Sequence, residues 1–389
     1  MFVHVEDVFD PEAGYQVNEL LKFSNLLNME VTLITSNYMG PLEKKPDPEK
    51  DKKFEETYGI KIIRLPVKTK MSGRIVMKRM WKTIDALKPK VVYLHGIADF
   101  KDLVLYRKKK KYLILRDCHM SWVASKNKLA KLFYKFFKWF FAGKINKTNK
   151  YLTVFALGEE EKEYLQKIGI AEDKITMLPH GYNETSMFYS SESRSQTREK
   201  FGFQDEDVVI TYTGKFNDSK RPDLIFDIVS RLPQEFIDEH QIRLLFVGSK
   251  NPEYFKFFQK KKAELLVNVL VVVSDFVPFE NLRYIYSGSD ICIFPKETTL
   301  SSIHAQVCGC PVIMENHKSN QERVVDNNHL YNTDDFDGAA KIIKDIIYNK
   351  EYIKSDKYLK KLENREYKNQ IKLIKQVITA GDDSINIVK

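Results

Sequence analysis

Short apolar runs rich in β-branched residues recur along this chain, and most intervals between them carry helical periodicity. In the first half the runs are Phe2–Val5, Val31–Thr35, Ile60–Leu65, Val91–Leu94, Tyr112–Arg116, Leu152–Ala156 and Ile175–Leu178. They are near-continuous rather than alternating, as strands covered on both faces must be. Strand and helix in alternation predict a parallel sheet with crossover helices. The series then restarts with Val208–Thr213, Leu244–Val247, Val269–Val273, Ile291–Phe294 and Val312–Met314. With 389 residues, two α/β domains are expected. The polar stretch 183–197 reads as the linker between them. The stretch 40–53, with three prolines and many charges, reads as a surface loop. Two Rossmann-like domains would hold a ligand in a cleft.

Apolar residues make up 43% of the chain, enough for two cores, yet no run approaches membrane-spanning length. The opening MFVHVEDVFD is acidic and has no basic n-region, so a signal peptide is not expected. Cys118, Cys292, Cys308 and Cys310 lack zinc-site or CxxC spacing and suit reduced thiols in a cytosol.

Charge is unevenly placed. The net charge is +10, and between Lys61 and Lys150 stand 25 basic and 4 acidic residues. A confined excess of this size suits an anionic partner. Lys128, Lys131, Lys135 and Lys138 share one face of a helical pattern over 126–145, with Leu129, Leu132, Phe133, Phe136, Phe137, Phe140 and Phe141 opposite. The stretch Met71–Lys82 is also basic and amphipathic. Such helices lie on anionic lipid, or pack on a core with a solvated lysine face. No recognised nucleic-acid motif accompanies the charge.

The segment VVITYTGKFNDSKRPDLIFDIVSRL places Gly214 at a strand end and starts a helix near Pro222, with Asp218 or Ser219 as its cap. Lys215 and Lys220 flank this turn. At that edge of a doubly wound sheet, beside a helix N-terminus, two ammonium groups suit a diphosphate; a solvated lysine pair is the alternative. Neither GxxxxGK[ST] nor GxGxxG is present. Further on, LSSIHAQVCGCPVI reads as a short helix capped by Ser301 or Ser302, stopped by Gly309 and Pro311, with His304 inside it.

The segment GKFNDSKRPDL resembles the G-(R/K)-x4-K element of retaining GT-B glycosyltransferases of family 4. DPEAGYQVNELLKFSNLLNMEVTLITS, VVYLHG, ITMLPHGYNETSMF, LLFVGS, VSDFVPFENLRYIYSGSDICIFP and HAQVCGCPVI are similar to further elements of that family, in order. The resemblance implies a GT-B architecture. Residues 1–185 would form the acceptor domain and 186–365 the nucleotide-sugar domain. Residues 366–389 would be a helical segment returning to the first domain.

It also implies site residues. Lys215 and Lys220 would neutralise the leaving diphosphate beside Gly214. Phe276 and Val277 would frame the base, and Glu297, Thr298, Thr299 and Leu300 would hold the sugar. His119 would lie near the reacting sugar; Gly14, Tyr15 and Gln16 would meet the acceptor. The family's two glutamates, eight apart, are absent: Lys296 stands at the first place and His304 at the second. His304 either holds the donor ribose, in which case a glutamate there should be tolerated, or merely fills the helix start. The activity implied is metal-independent and uses no cofactor. It is transfer from a UDP-linked sugar to a glycan or lipid-linked acceptor, in cell-surface polysaccharide or glycoconjugate assembly. It would occur in the cytoplasm or peripherally at the inner membrane face. A catalytically silent nucleotide-sugar-binding subunit and a basic nucleic-acid-binding protein are the alternatives.

Overall fold

The structure, a computed structural model, describes residues 1–39, 45–71, 74–107, 111–119, 130–296, 298–352 and 357–387. The chain forms two compact units, Met1–His180 with Tyr367–Lys389, and Gly181–Glu366.

The first unit holds strands β1 (Phe2–Glu6), β2 (Val31–Ser36), β3 (Ile60–Leu65), hairpin strands β4 (Val67–Met71) and β5 (Arg74–Met77), then β6 (Val91–Leu94), β7 (Leu113–Cys118), β8 (Tyr151–Ala156) and β9 (Ile175–Met177). Apart from the hairpin they make one parallel sheet in the order β3-β2-β1-β6-β7-β8-β9. The second unit holds β10 (Val208–Thr213), β11 (Ile242–Val247), β12 (Leu270–Ser274), β13 (Ile291–Phe294), β14 (Val312–Glu315) and β15 (Leu330–Tyr331). Their order is β12-β11-β10-β13-β14-β15, all parallel. Both sheets reverse direction beside their first strand, at β1/β6 and at β10/β13. In this architecture ligands sit outside the strand ends at that reversal.

The strands expected from sequence fall within two residues of their expected bounds, because β1, β2, β6, β7 and β10 are buried throughout; β4, β5 and β15 were not expected. Four local expectations are corrected. The polar segment expected as a linker contains helix Ser191–Phe201, capped by the Ser190 hydroxyl. It is held by charge, not by an apolar stripe: buried Arg198 donates to the Asp207 carbonyl and pairs with Asp290. Within the expected surface loop, Asp47 caps a helix that begins at Pro48 and buries only Phe54. Residues 40–44 of that loop lie outside the described set. In the stretch expected as one basic helix, Arg74–Met77 pairs antiparallel with β4, and the helix starts at Met80. There the period is two, with Ile75 and Met77 turned inward. The helix expected at Pro222 begins at Leu224 without a side-chain cap. Asn217, not Asp218 or Ser219, receives the Lys220 amide.

The C-terminal helix Tyr367–Ile387 belongs to the first unit. Its buried Tyr367, Ile371, Ile374 and Ile378 recur at helical spacing and complete the core under β1, β6 and β8.

A buried ion cluster sets the carboxyl edge of the first sheet. Arg116, fully buried on β7, reaches Asp102 at 2.7 Å and Asp99 at 3.0 Å, and its Nε donates to the Gly96 carbonyl. Asp99 and Asp102 form a capping box on the 3₁₀ helix Phe100–Tyr106. Lys101 pairs with Asp99 at 3.1 Å and Asp7 at 2.9 Å, tying in the chain after β1. Removing one partner leaves buried charge uncompensated. Arg116→Leu should therefore cost about 3–5 kcal/mol, read as a lower urea midpoint. Adding Asp99→Asn and Asp102→Asn to that variant should recover much of the loss.

Candidate functional site

In the first unit, β1, β6 and β7 end side by side and deliver Glu6, His95, Asp117 and His119 to one edge. Asp117 organises them. Its Oδ1 accepts from the Gly96 amide, and its Oδ2 accepts from the Tyr93 hydroxyl at 3.0 Å. His95 Nδ1 lies 2.8 Å from Asp117 Oδ2 and 3.2 Å from Glu6 Oε2; His119 Nε2 lies 3.4 Å from Asp117 Oδ2. The two imidazoles are 4.3 Å apart, and His180 stands 6.0 Å beyond His119. Beneath them His4 stacks on Tyr93.

The charges follow from this packing. Burial alone would lower the His95 pKa, but Asp117 and Glu6 raise it to about 9. Burial would raise Asp117, but His95 and His119 hold it well below the usual carboxylate range. Burial and the neighbouring His95 push His4 down to about 3, so it stays neutral. His119 is one-third exposed and keeps an open side. Three groups among the described residues bring metal-ligating atoms within 4.8 Å: His4 with Glu6 and His95; His95 with Asp117 and His119; and Asp326 with His329 and Glu351. In the second group both imidazoles already lie against the Asp117 carboxylate, at 2.8 and 3.4 Å.

The three residues expected to meet the acceptor differ in exposure. Gly14 is half-buried and Tyr15 exposed, but Gln16 is buried. The Gln16 amide points to Gln370 of the C-terminal helix at 3.4 Å, and Gln370 donates to the Pro179 carbonyl.

In the second unit the chain leaves β10 at Gly214, whose φ of +151° and contact with Tyr212 exclude a side chain. A Cβ on Gly248, at the end of β11, would strike the Gly214 carbonyl at 1.6 Å. The two strand ends therefore approach as only glycines allow. A recess of about 10 Å³ is lined by Tyr212, Thr213, Gly214, Lys220, Phe294 and Thr299. Lys220 Nζ donates to the Thr298 carbonyl at 2.9 Å, and Lys215 is exposed. Gly214, Lys220 and the Thr298–Thr299 turn, distant in sequence, thus meet at the reversal point of the sheet. Phe276 is 67% exposed after β12, while Val277 packs on the core and Leu300 is half-buried. Glu297 lies outside the described residues. A larger cavity of about 420 Å³ beside Tyr331 and Asp345 shares none of these side chains.

Helix Ser301–Val307 starts after Leu300 without a serine cap; Thr299 Oγ1 instead accepts from the Ser301 amide. Gly309 takes the left-handed conformation, with φ +76°. His304 is buried, packs edge-on against Phe279 at 5.3 Å and hydrogen-bonds the Gly181 backbone. Burial lowers its pKa to about 4. Lys296 is drawn away by two carboxylates, Glu315 at 2.6 Å and Asp334 at 3.1 Å. The Thr298 hydroxyl donates to Asn320, which donates to the Glu315 carbonyl.

Sequence reading missed Glu6, His95, Glu315 and Asn320. The usable signal was position: each lies at or just beyond a strand's carboxyl end, except Asn320, which only the fold brings back.

Two doubly wound parallel sheets, with a glycine–lysine turn at the reversal of the second, define the GT-B class of glycosyltransferase. Family models agree: "Glycosyl transferases group 1" matches residues 193–369 and "Glycosyltransferase Family 4" matches 14–186. The chain belongs to the group 1, family 4 glycosyltransferases. It is 26% identical over 170 residues to a D-inositol 3-phosphate glycosyltransferase of Rhodococcus jostii, a match covering 41% of this chain. The chain spans only 36% of the length of that curated relative. Among solved structures, a Rickettsia africae glycosyltransferase superposes with TM-score 0.71 at 15% identity over 98% of both chains. Anabaena HepE in complex with UDP and glucose superposes with TM-score 0.69 at 12% identity, over 97% of this chain and 99% of that one.

Two predictions follow from the histidines. His95 has a folded pKa of about 9, above its unfolded value of 6.5. Its stabilisation is therefore complete below pH 6.5 and disappears as pH rises through 9. His95→Gln should flatten the loss of thermal stability between pH 6.5 and 9 that wild type shows. His304→Glu would bury a carboxylate against Phe279 and the Gly181 backbone. It should cost about 3 kcal/mol of unfolding free energy, against the tolerance expected from sequence.

Proposed function

We propose that this protein moves a glycosyl unit from a UDP-linked sugar to a glycan or lipid-linked acceptor, with retention of anomeric configuration. The work would belong to cell-surface polysaccharide or glycoconjugate assembly, at the inner face of a membrane. The observation that carries the reading is the convergence of Gly214, Lys220 and the Thr298–Thr299 turn at the reversal of the second sheet, with Lys215 exposed beside them. The UDP bound by the HepE structure supports the choice of nucleotide.

In this reading Lys215 and Lys220 stabilise the charge that develops on the departing diphosphate, a role that needs no metal and no cofactor. Lys220 would exchange the Thr298 carbonyl for phosphate. The exposed Phe276 ring offers a face to the base, beside the Val277 backbone. Thr298, Thr299, Leu300 and Glu297 address the sugar, with Lys296 neutralised by Glu315 and Asp334. His304, already committed to Gly181, keeps at most one ring nitrogen for the ribose. His119, positioned by Asp117, serves the reacting sugar, and Gly14 and Tyr15 the acceptor. As the bond from the anomeric carbon to the diphosphate breaks, the acceptor hydroxyl attacks from the same face. Its proton passes to the released phosphate oxygen.

Calorimetric titration with UDP tests the assignment. Lys215→Ala and Lys220→Ala should each weaken UDP about tenfold to a hundredfold, the scale of one charge-assisted contact, with unchanged unfolding midpoints. Unaltered affinity in both variants would remove the diphosphate site. UDP binding without transfer from any UDP-sugar would instead favour a silent binding subunit.

A further inference from the structure

The segment after β7 carries the most exposed aromatic surface of the first unit. It runs as an α-helix over Ala130–Phe137, a π-helical turn over Lys138–Ala142 and a further helical turn over Gly143–Lys147. One seam faces the core: Phe137, Phe141 and Ile145, at successive i, i+4 spacing, are buried. Among the described residues the neighbouring stripe is exposed. Leu132 is 68% exposed, Trp139 86%, and Phe133, Phe136 and Phe140 between 42% and 48%. Lys128 and Leu129 lie outside the described residues.

A second element extends this stripe. On the 3₁₀ helix Phe100–Tyr106, residues three apart share a face. Phe100, Leu103 and Tyr106 are all exposed. Tyr106 joins the two elements: its hydroxyl donates to the Phe140 carbonyl at 2.6 Å, and Lys144 Nζ lies 4.0 Å from its ring centre.

Charge decides the occupant. Between Asp117 and Glu159 the sequence has eight lysines and no acidic residue. Lys135, Lys138, Lys144 and Lys147 are exposed around the aromatic stripe. A second copy of the chain would set these lysines against themselves, and protein interface cores are depleted in lysine. For single-stranded nucleic acid the rings would need to be splayed to receive bases. Instead Phe136 and Phe140 pack on each other at 4.6 Å. Aromatic rings at headgroup depth, flanked by lysines whose stems reach past them, match a lipid–water boundary.

We propose that the face formed by Phe133, Phe136, Trp139 and Phe140, with Tyr106 and the lysines around it, docks on the surface of an anionic membrane. This deepens the membrane part of the reading above and rests on it only for purpose: a lipid-linked acceptor would be met where it resides. No residue of this face belongs to the donor site.

The test is co-sedimentation of the full chain with vesicles of phosphatidylcholine alone or with 30% phosphatidylglycerol (roughly the charge density of an anionic leaflet). Wild type should bind the anionic vesicles, and salt should weaken the binding. Phe136→Ser with Trp139→Ser should abolish it. Lys135→Glu with Lys138→Glu should lower it by more than about tenfold, since each lysine near lipid contributes about fivefold. UDP titration and the unfolding midpoint of both variants should match wild type, which separates failure here from failure of the transferase reading. Vesicle binding retained by both variants would overturn the proposal. So would self-association that only the serine variant abolishes, or tight binding of a single-stranded oligonucleotide by protein that ignores anionic vesicles.

Discussion

The buried guanidinium of Arg116 is the interaction on which the first unit's working edge depends. A charge with no solvent contact must be neutralised and hydrogen-bonded in place. Asp99, Asp102 and the Gly96 carbonyl do both. Gly96 and Asp99 lie in the loop between β6 and the following 3₁₀ helix and Asp102 in that helix's first turn, so satisfying Arg116 fixes the loop against the helix start. The same loop delivers the Gly96 amide to Asp117, the next residue on β7 after Arg116. The position of Asp117, and through it of His95 and His119, follows from a charge buried one residue earlier. Lys101 extends the restraint to Asp7 after β1, so three strand ends are fixed by one set of ion pairs.

Much of the architecture was legible because strands covered on both faces cannot hide. VVYL and VVITYT admit few readings besides buried parallel strands, and the restart at Val208 marked the second unit. The elements that escaped are those stabilised by something other than apolar burial. Helix Ser191–Phe201 depends on Arg198 reaching Asp290, a partner 92 residues away. Hairpin strand Arg74–Met77 is four residues long and adjoins a helix of similar composition. In the site, Lys215 and Lys220 stood out because a lysine pair at a strand end is a local pattern. Glu315 was marked only by its place at a strand end and Asn320 not at all, since their relation to Lys296 and Thr298 exists only after β13 and β14 pair. The burial of Gln16 was illegible for the same reason: its partner, Gln370, comes from the far end of the chain.

The two units place opposite kinds of side chain on the same scaffold. At the reversal of the first sheet stand Glu6, His95 and Asp117, whose protonation is set by burial against mutual charge, with His119 beside them. At the reversal of the second stand glycines and lysines. The first arrangement can hold or present a proton; the second can only offer positive potential and space. Glycosyl transfer from a diphosphate asks for both: fixed charge where the leaving group departs and a polar, protonatable group where hydroxyls are handled.

The altered carboxylate pair fits this division. In the proposed reaction, a lysine at position 296 would add a third cation near the Gly214–Lys220 turn, where too much positive potential would retain the released nucleotide. Glu315 and Asp334 withdraw it into an ion pair, so the local charge balance returns close to that of a carboxylate-bearing site while the direct acidic contact to sugar is gone. His304 follows the same logic. Buried and neutral, it contributes no charge and spends one nitrogen on Gly181, so it can replace at most half of what a carboxylate offers two vicinal hydroxyls. Under the proposed function, donor affinity would then come more from the Gly214–Lys220 turn and from contacts to the base than from the sugar. That would place the weight of recognition on Lys215, Lys220 and the exposed ring of Phe276.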